Sequence, residues 1–557
     1  MKRFNTFLAA GLFLCAAVFA REFDNAYRLA VFFTNDIHGG IVPQKAEFLN
    51  PEFPPLLGGA ASAAAIIKQV REEGAEAGFS TLLIDAGDIF QGTLVGTLSK
   101  GIAVIEYMNL MEYDAVVPGN HDFDLGKDNL IELIKASRFP WVSANIYDKE
   151  TGAPWEWVKP WAIVEKDGFK IGITGVSTAG TEQMSFPENI RGLEFRNEIT
   201  TLQKAVDELR ARGVDLVAAL VHTGLPYDPR EGYEALKTQT LQSLLETGYV
   251  NAMEIAHFVK GIDILLGGHL HKGYPEAWED PVNHTICLQN YANGGNLGWV
   301  DIYIDVPTRS IAGYDYAADK NSLLLLAQDQ FWPDSATAEF VQKKRDLYEQ
   351  GYRDVIGETT SSLARSSQGE SPLNNLICDV MAERAGADFA FMNFGGIRAD
   401  LRQGPVTRED IFKVLPFDNE IVSFKADGKY IKRILEQRLA GGSRGLAIGG
   451  AKVVFNKTLP NGQRVVSVEI GGKPLEPERI YRVATNDYLL EGNSGLEMLK
   501  ELPRELVAFT GVLVSEALIQ HFEMHSPVKS ALDGRWKSDN NARPSAEWMR
   551  QFDEMQM

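Results

Sequence analysis

A chain of 557 residues is too long for one hydrophobic core and implies two to four folding units. Its 75 acidic residues against 55 basic ones leave a net charge of −20. That balance argues against nucleic-acid polymers or an anionic bilayer as partners, since binding those takes clustered Lys and Arg. A hydrophobic fraction of 45% excludes a disordered or fibrous chain. A small anionic substrate stays compatible, because a local metal site can dominate the field where it matters.

The chain opens on Lys2 and Arg3, continues through an apolar run at 7–18, and reaches Val18, Phe19 and Ala20. That pattern reads as a secretory signal peptide over 1–20, cleaved before Arg21. The mature protein is then exported, to a periplasm or to the extracellular or cell-surface space. Lipidation of Cys15 is disfavoured by the bulky Phe13 and Leu14; a retained anchor is the other reading. No later segment reads as transmembrane, so no stable membrane insertion is expected after cleavage. Cys287 and Cys378 remain, too few for a disulfide framework, and read as small buried apolar residues.

From 21 to 332 strands and helices alternate. Apolar runs at 29–33, 81–84, 115–117, 171–176, 216–221 and 262–266 read as strands; 60–73, 104–111, 130–136 and 199–212 have helical periodicity. Strands follow one another directly around 157–164 and 285–305, so the sheets should be mixed. After a polar break at 319–322, Pro333, Asp334 and Ser335 read as a helix start, with Glu339 and Lys343 on a polar face. The segment 333–352 is expected to be one exposed linker helix. A second α/β domain spans 353–536, and 537–557 reads as a polar, loosely held tail.

The chemistry sits at the ends of the apolar runs. Asp36 and His38 follow the first strand, Asp85 and Asp88 the second, and Asn120, His121, Asp122 and Asp124 the third. His222 closes a later strand, and His269 and His271 follow another. Ligands bind beyond the carboxyl ends of strands in α/β sheets, so the five segments should converge. In extended chain, residues two apart share a face, which pairs Asp36 with His38 and His269 with His271. Carboxylate, imidazole and amide oxygen suit divalent Zn, Mn, Co or Fe better than Ca. The count allows two metals: Asp36, His38 and His271 on one, Asn120, His222 and His269 on the other, with Asp88 bridging. Asp85 is a weaker candidate, since its side chain should point away from that of Asp88. Paired metals clamp a phosphoryl group and acidify water. His121 is then left beside the site, and with Asp124 behind it suits stabilising phosphoryl oxygens or protonating a leaving group. The remaining histidines, His257, His284, His521 and His525, show no partner pattern and read as structural.

These segments, in this order, resemble the calcineurin-like metallophosphoesterases. The stretches 88–93 and 119–124 resemble the 5′-nucleotidase family within them, which includes UDP-sugar hydrolases, and the likeness covers nearly the whole mature chain. The resemblance implies a four-layer α/β/β/α sandwich followed by a C-terminal α/β substrate-binding domain. It also implies two divalent ions with Asp88 bridging, a catalytic His121–Asp124 dyad, and a small nucleotide as substrate. By the same resemblance Asn393 lies in a substrate-binding segment, Phe417 and Tyr488 sandwich a nucleobase, Arg365 and Arg398 meet phosphate, and Asn120 touches substrate. The expected activity is a 5′-nucleotidase that also accepts UDP-sugars. Two departures bear on specificity: Ser494 stands where the family often has a ribose-binding Asp, and Phe394 where Gly is common. They motivate the alternatives of a 2′,3′-cyclic nucleotide phosphodiesterase or a nucleotide pyrophosphatase; a catalytically silent nucleotide-binding surface protein is a further one.

Overall fold

In the computed structural model, the described residues are 25–552 apart from 47–48, 51, 248–249, 319, 442–444 and 504–505. The leader read at 1–20 lies outside them, as do the last five residues. The chain divides into two compact units, the first ending at Tyr348 and the second running from Glu349.

The first unit is built on two six-stranded sheets. In one, Ala26–Thr34 pairs in parallel with Ser80–Asp85, which pairs in parallel with Ala115–Val116; Asn296–Asp305 lies antiparallel on the other side. In the other, Phe169–Ser177, Leu216–His222, Ile264–Gly267 and Ile286–Gln289 run in parallel, flanked by antiparallel Trp161–Lys166 and Trp278–Glu279. The sheets are therefore mixed, as the adjacent strands required.

Side-chain alternation sets the layers. Leu29, Val31 and Phe33 pack with Ile171, Ile173, Leu216, Ala218 and Leu220 in a core between the sheets. Ala30 and Phe32 point the other way, onto Ala64 and Ile67 of helix Ala60–Ala77 and Val104 and Met108 of helix Ile102–Leu110. Across the molecule, Val217, Ala219 and Val221 meet Leu202, Val206 and Leu209 of helix Glu198–Ala211. The order is helix, sheet, sheet, helix. Strands covered on both faces read as continuous apolar runs, which is why 29–33 lacks polar alternation.

Helix Ser335–Tyr348 is less exposed and shorter than the expected linker. It packs on helix Ala60–Ala77 within the first unit, with Thr337 and Val341 buried. Asp334 accepts from the Thr337 amide at 2.8 Å and pairs with Lys68 at 2.8 Å, fixing its start. Glu339 and Lys343 pair at 2.9 Å on the polar face.

The second unit holds a five-stranded sheet in the order Ala447–Gly449, Phe389–Met392, Ile480–Asn486, Glu420–Asp427, Val507–Leu513. Helix Pro372–Ala385 covers one face and helix Gly428–Leu439 the other. A four-stranded sheet adds Trp536–Ser538 in parallel to Ala451–Phe455. The polar tail departs from expectation here: helix Ala546–Phe552 buries Phe552 in the core beside Trp548, ring centroids 4.4 Å apart, so 537–552 is docked. One aromatic per turn was too sparse a signal to read as amphipathic. Cys287 and Cys378 are free and buried. Among the described residues no helix is long and apolar enough to cross a membrane.

Candidate metal centre

All five polar segments meet at the carboxyl ends of the parallel strands. Asp36, His38, Asp88 and His271 each bring one ligand atom within 4.8 Å of the others, and so do Asp88, His222 and His269. The two groups share Asp88. Asn120 joins the second, its Oδ1 lying 2.9 Å from His269 Nδ1 and 3.2 Å from His222 Nε2.

The backbone reaches this arrangement differently from the extended chain assumed above. Asp36 (φ 49°), His38 (φ 49°), Asp88 (φ 59°), His269 (φ 72°) and His271 (φ 56°) are all left-handed. Non-glycine residues rarely adopt that region, at a cost of order 1–3 kcal/mol each, so the surroundings must hold them there. Long-range amide bonds do so. The Asp36 N–H donates to Gly87 O at 2.8 Å, and the His38 N–H to Asp88 O at 2.9 Å. The Asn293 N–H donates to Asp36 O at 2.8 Å. Gly119 makes room: a Cβ there would stand 2.2 Å from Asp88 Oδ1.

The imidazoles are oriented by groups that only accept. His38 Nδ1 lies 2.6 Å from Gln91 O and His222 Nδ1 2.6 Å from Ala86 O, so each donates there and turns Nε2 inward. His38 Nε2 faces His271 Nε2 at 2.9 Å, and His271 Nε2 is 3.5 Å from Asp36 Oδ1. Asp36 is steadied by Asn35 Nδ2 at 2.7 Å and the His269 amide at 2.9 Å. Asp88 Oδ1 accepts the His121 amide at 2.7 Å, while Oδ2, buried and with no hydrogen bond, lies 3.1 Å from His222 Nε2 and 3.9 Å from His38 Nε2.

The electrostatics follow from burial and neighbours. Burial, aided by Asp88, raises the Asp36 carboxyl to about 7 against the pull of His222. Burial also opposes charge on Asp88, yet His222, His121 and His38 hold its pKa well below the usual range. In His222 burial is outweighed by Asp88 and Asp36, which bring the imidazole up to about 10. Burial and His222 push His269 down to about 3. Buried carboxylates here draw positive charge, and converging imidazole lone pairs with an orphaned carboxylate oxygen fit a pair of divalent cations.

His121 stands at the rim, its Nδ1 2.7 Å from Asp124 Oδ2 and its ring 5.4 Å from that of His38. Asp85 turns away: its carboxylate takes Thr34 Oγ1 at 2.6 Å and the Gly87 amide at 2.7 Å. Asp122 has no role assigned from the sequence. Fully buried, it accepts the amides of Asp88 at 2.9 Å, Ile89 at 3.0 Å and Gly119 at 2.8 Å, tying the two turns that carry Asp88 and Asn120. Burial, with Asp88 close by, raises it to about 7. Its place between Asn120, His121 and Asp124 was the only available hint.

In the second unit the Arg398 guanidinium lies 5.8 Å over the Phe417 ring and donates to Gly395 O at 3.2 Å. Arg365 is exposed and donates to Ile397 O at 3.1 Å, which brings it to the same segment. Asn393 Oδ1 accepts from Asn486 Nδ2 at 3.4 Å. Tyr488 is half-buried at the edge of a core cluster. Phe394 is a core residue, 5% exposed. Ser494 adopts φ 57°, and its carbonyl accepts from Arg438.

A family model for calcineurin-like phosphoesterases matches residues 29–273, and one for the 5′-nucleotidase C-terminal domain matches residues 355–501. Fold and cluster together define a metallophosphoesterase, a hydrolase of the calcineurin-like class. A snake venom 5′-nucleotidase from Naja atra is 30% identical over 524 residues, 85% of this chain and 92% of that protein. Protein UshA of Yersinia enterocolitica is 28% identical over 534 residues, 92% of this chain and 94% of its own. The crystal structure of a 5′-nucleotidase precursor from Thermus thermophilus superposes with a TM-score of 0.77 at 28% identity, covering 92% of this chain and all of that one. The chain belongs to the 5′-nucleotidase family.

Proposed function

We propose that the protein is an exported 5′-nucleotidase, releasing phosphate from nucleoside 5′-monophosphates and accepting UDP-sugars as well. The sharing of Asp88 between two ligand groups carries this reading, because a bridged pair of divalent ions is the arrangement that grips a phosphoryl group from both sides. Asp36, His38 and His271 would hold one ion and Asn120, His222 and His269 the other, with Asp88 common to both. Zn, Mn, Co and Fe all suit these donors. When bound, such ions supply Lewis-acid charge at the phosphoryl oxygens and make water acidic enough to attack at neutral pH.

The chain's own groups do the rest. Asp124 accepts the Nδ1 proton of His121 at 2.7 Å, leaving His121 Nε2 to face the substrate. There a protonated ring donates to a phosphoryl oxygen or gives its proton to the departing 5′-oxygen, and the neutral ring left behind recovers a proton from solvent water. Asn120 adds an amide donor to the oxygens that gain charge. In the second unit Arg365 and Arg398 offer planar guanidinium donors to phosphate. Phe417 and Tyr488 offer faces to a base, a stack worth about 1–3 kcal/mol. Asn393 orients within the same segment. The leader at 1–20 supports an exported location.

A second reading, hydrolysis of 2′,3′-cyclic nucleotides or of a pyrophosphate bond, is favoured by Ser494 alone, which lacks a carboxylate for ribose hydroxyls. Product analysis by chromatography on AMP, UMP, 2′,3′-cyclic AMP and UDP-glucose, with one metal-replete preparation, separates the two: monophosphates give nucleoside and phosphate, the cyclic diester a phosphomonoester, and UDP-glucose UMP and glucose 1-phosphate. Preference for the monophosphates supports the nucleotidase; preference for the diesters overturns it.

A further inference from the structure

Helices Pro372–Ala385 and Val514–His525 pack side by side in the second unit. Leu376, Ile377, Val380 and Met381 of the first share a core with Ala517, Leu518 and Phe522 of the second. At the solvent edge of this seam lie three residues that the nucleotidase chemistry does not use. His521 and His525 are four apart on one helix, so they project from the same face one turn from each other. Their ring centroids are 4.7 Å apart. Glu383, on the neighbouring helix, brings Oε2 to 3.8 Å from His521 Nδ1. One ligand atom from each of the three lies within 4.8 Å of the other two.

We propose that Glu383, His521 and His525 form a third metal site, which takes a borderline transition ion such as Zn²⁺ or Ni²⁺ and links the two helices. Two imidazoles with one carboxylate are a donor set that suits these ions and not the oxygen-seeking Ca²⁺ or Mg²⁺. Glu383 and His525 are exposed and His521 half-buried, so solvent reaches the coordination positions that three protein ligands leave open. The acidic neighbour Asp379 pairs with the Arg535 guanidinium at 2.7 Å. Because the ligands come from both helices, the bound ion ties the Val514–His525 helix to its neighbour and opposes local opening of that seam.

The test is equilibrium dialysis of the full chain, first stripped with chelator, against micromolar Zn²⁺, with bound metal counted. The comparison is with the double variant His521→Asn/His525→Asn and with Glu383→Gln. The wild type is expected to bind one equivalent more than the double variant, and Glu383→Gln to hold that equivalent about tenfold more weakly. Both variants should release phosphate from AMP at the wild-type rate, which establishes that they are folded. Any metal in the first unit is common to all three chains and cancels in the difference. Equal numbers of equivalents in the wild type and the active double variant overturn the proposal.

Discussion

Asp122→Asn isolates the residue that ties the Asp88 and Asn120 turns together. The carboxylate serves three buried amides, those of Asp88 and Gly119 on Oδ2 and that of Ile89 on Oδ1. An asparagine of the same shape has one acceptor oxygen. Placed at Oδ2 it keeps two of the bonds in weaker, neutral form, while its amide group confronts the Ile89 N–H. One buried donor left without a partner costs about 1–3 kcal/mol, and the weaker bonds to the other two amides are partly offset by relief of the buried charge beside Asp88. The expected destabilisation of the first unit is therefore about 1–3 kcal/mol. If the Asp88 turn relaxes by even about 1 Å, phosphate release should fall on the order of 100-fold. Urea unfolding of the chelated protein, followed by tryptophan fluorescence, reads the first quantity, and kcat on AMP the second. A variant with the wild-type unfolding midpoint and the wild-type kcat would show that Asp122 does not hold the two turns together.

His121→Ala should lower kcat by about 10²–10⁴-fold while bound metal is unchanged, if its proposed role on the substrate oxygens holds; loss of metal would place His121 among the ligands instead. Phe417→Ala should raise KM for AMP by about tenfold or more, with little effect on a phosphate ester lacking a base. An equal effect on both esters would remove Phe417 from base recognition. Glu198 supplies a pH prediction. It is 1% exposed, accepts the Ala179 amide at 2.7 Å with Oε1, and leaves Oε2 without a partner. Burial raises its pKa to about 7. A raised carboxyl contributes stability that is complete below its unfolded value near 4.3 and is lost as pH rises through about 7. Glu198→Gln should abolish up to about 3 kcal/mol of that decline between pH 4.5 and 8, read from unfolding midpoints. Parallel pH profiles for the two proteins would contradict it.

Much of the first unit was legible because its signals are local. Runs such as 29–33 are apolar on both faces, and Asp36, Asp88, His222 and His269 fall where such runs stop, which the logic of parallel sheets converts into convergence. The route to that convergence was not legible. Left-handed backbone at Asp36, His38, Asp88, His269 and His271 depends on amides such as Asn293 N–H, far away in the chain. Asp122 was hidden for the same reason: two of its three partners lie on the preceding turn. His521 and His525 carried a readable four-residue spacing, but Glu383 reaches them only through helix packing. In the tail, Phe552 is buried by tertiary contacts that its polar neighbours gave no cause to expect.

Sharing of Asp88 by two metal ions that act together on a phosphoryl group is open to direct measurement. Chelator-stripped wild type and Asp88→Asn, dialysed against Zn²⁺ or Mn²⁺, should be compared for bound metal and for phosphate release from AMP. Activity in the wild type should require added metal, and Asp88→Asn should lose at least one equivalent together with more than about 100-fold of its rate. Full metal content and near-wild-type release in Asp88→Asn would contradict it.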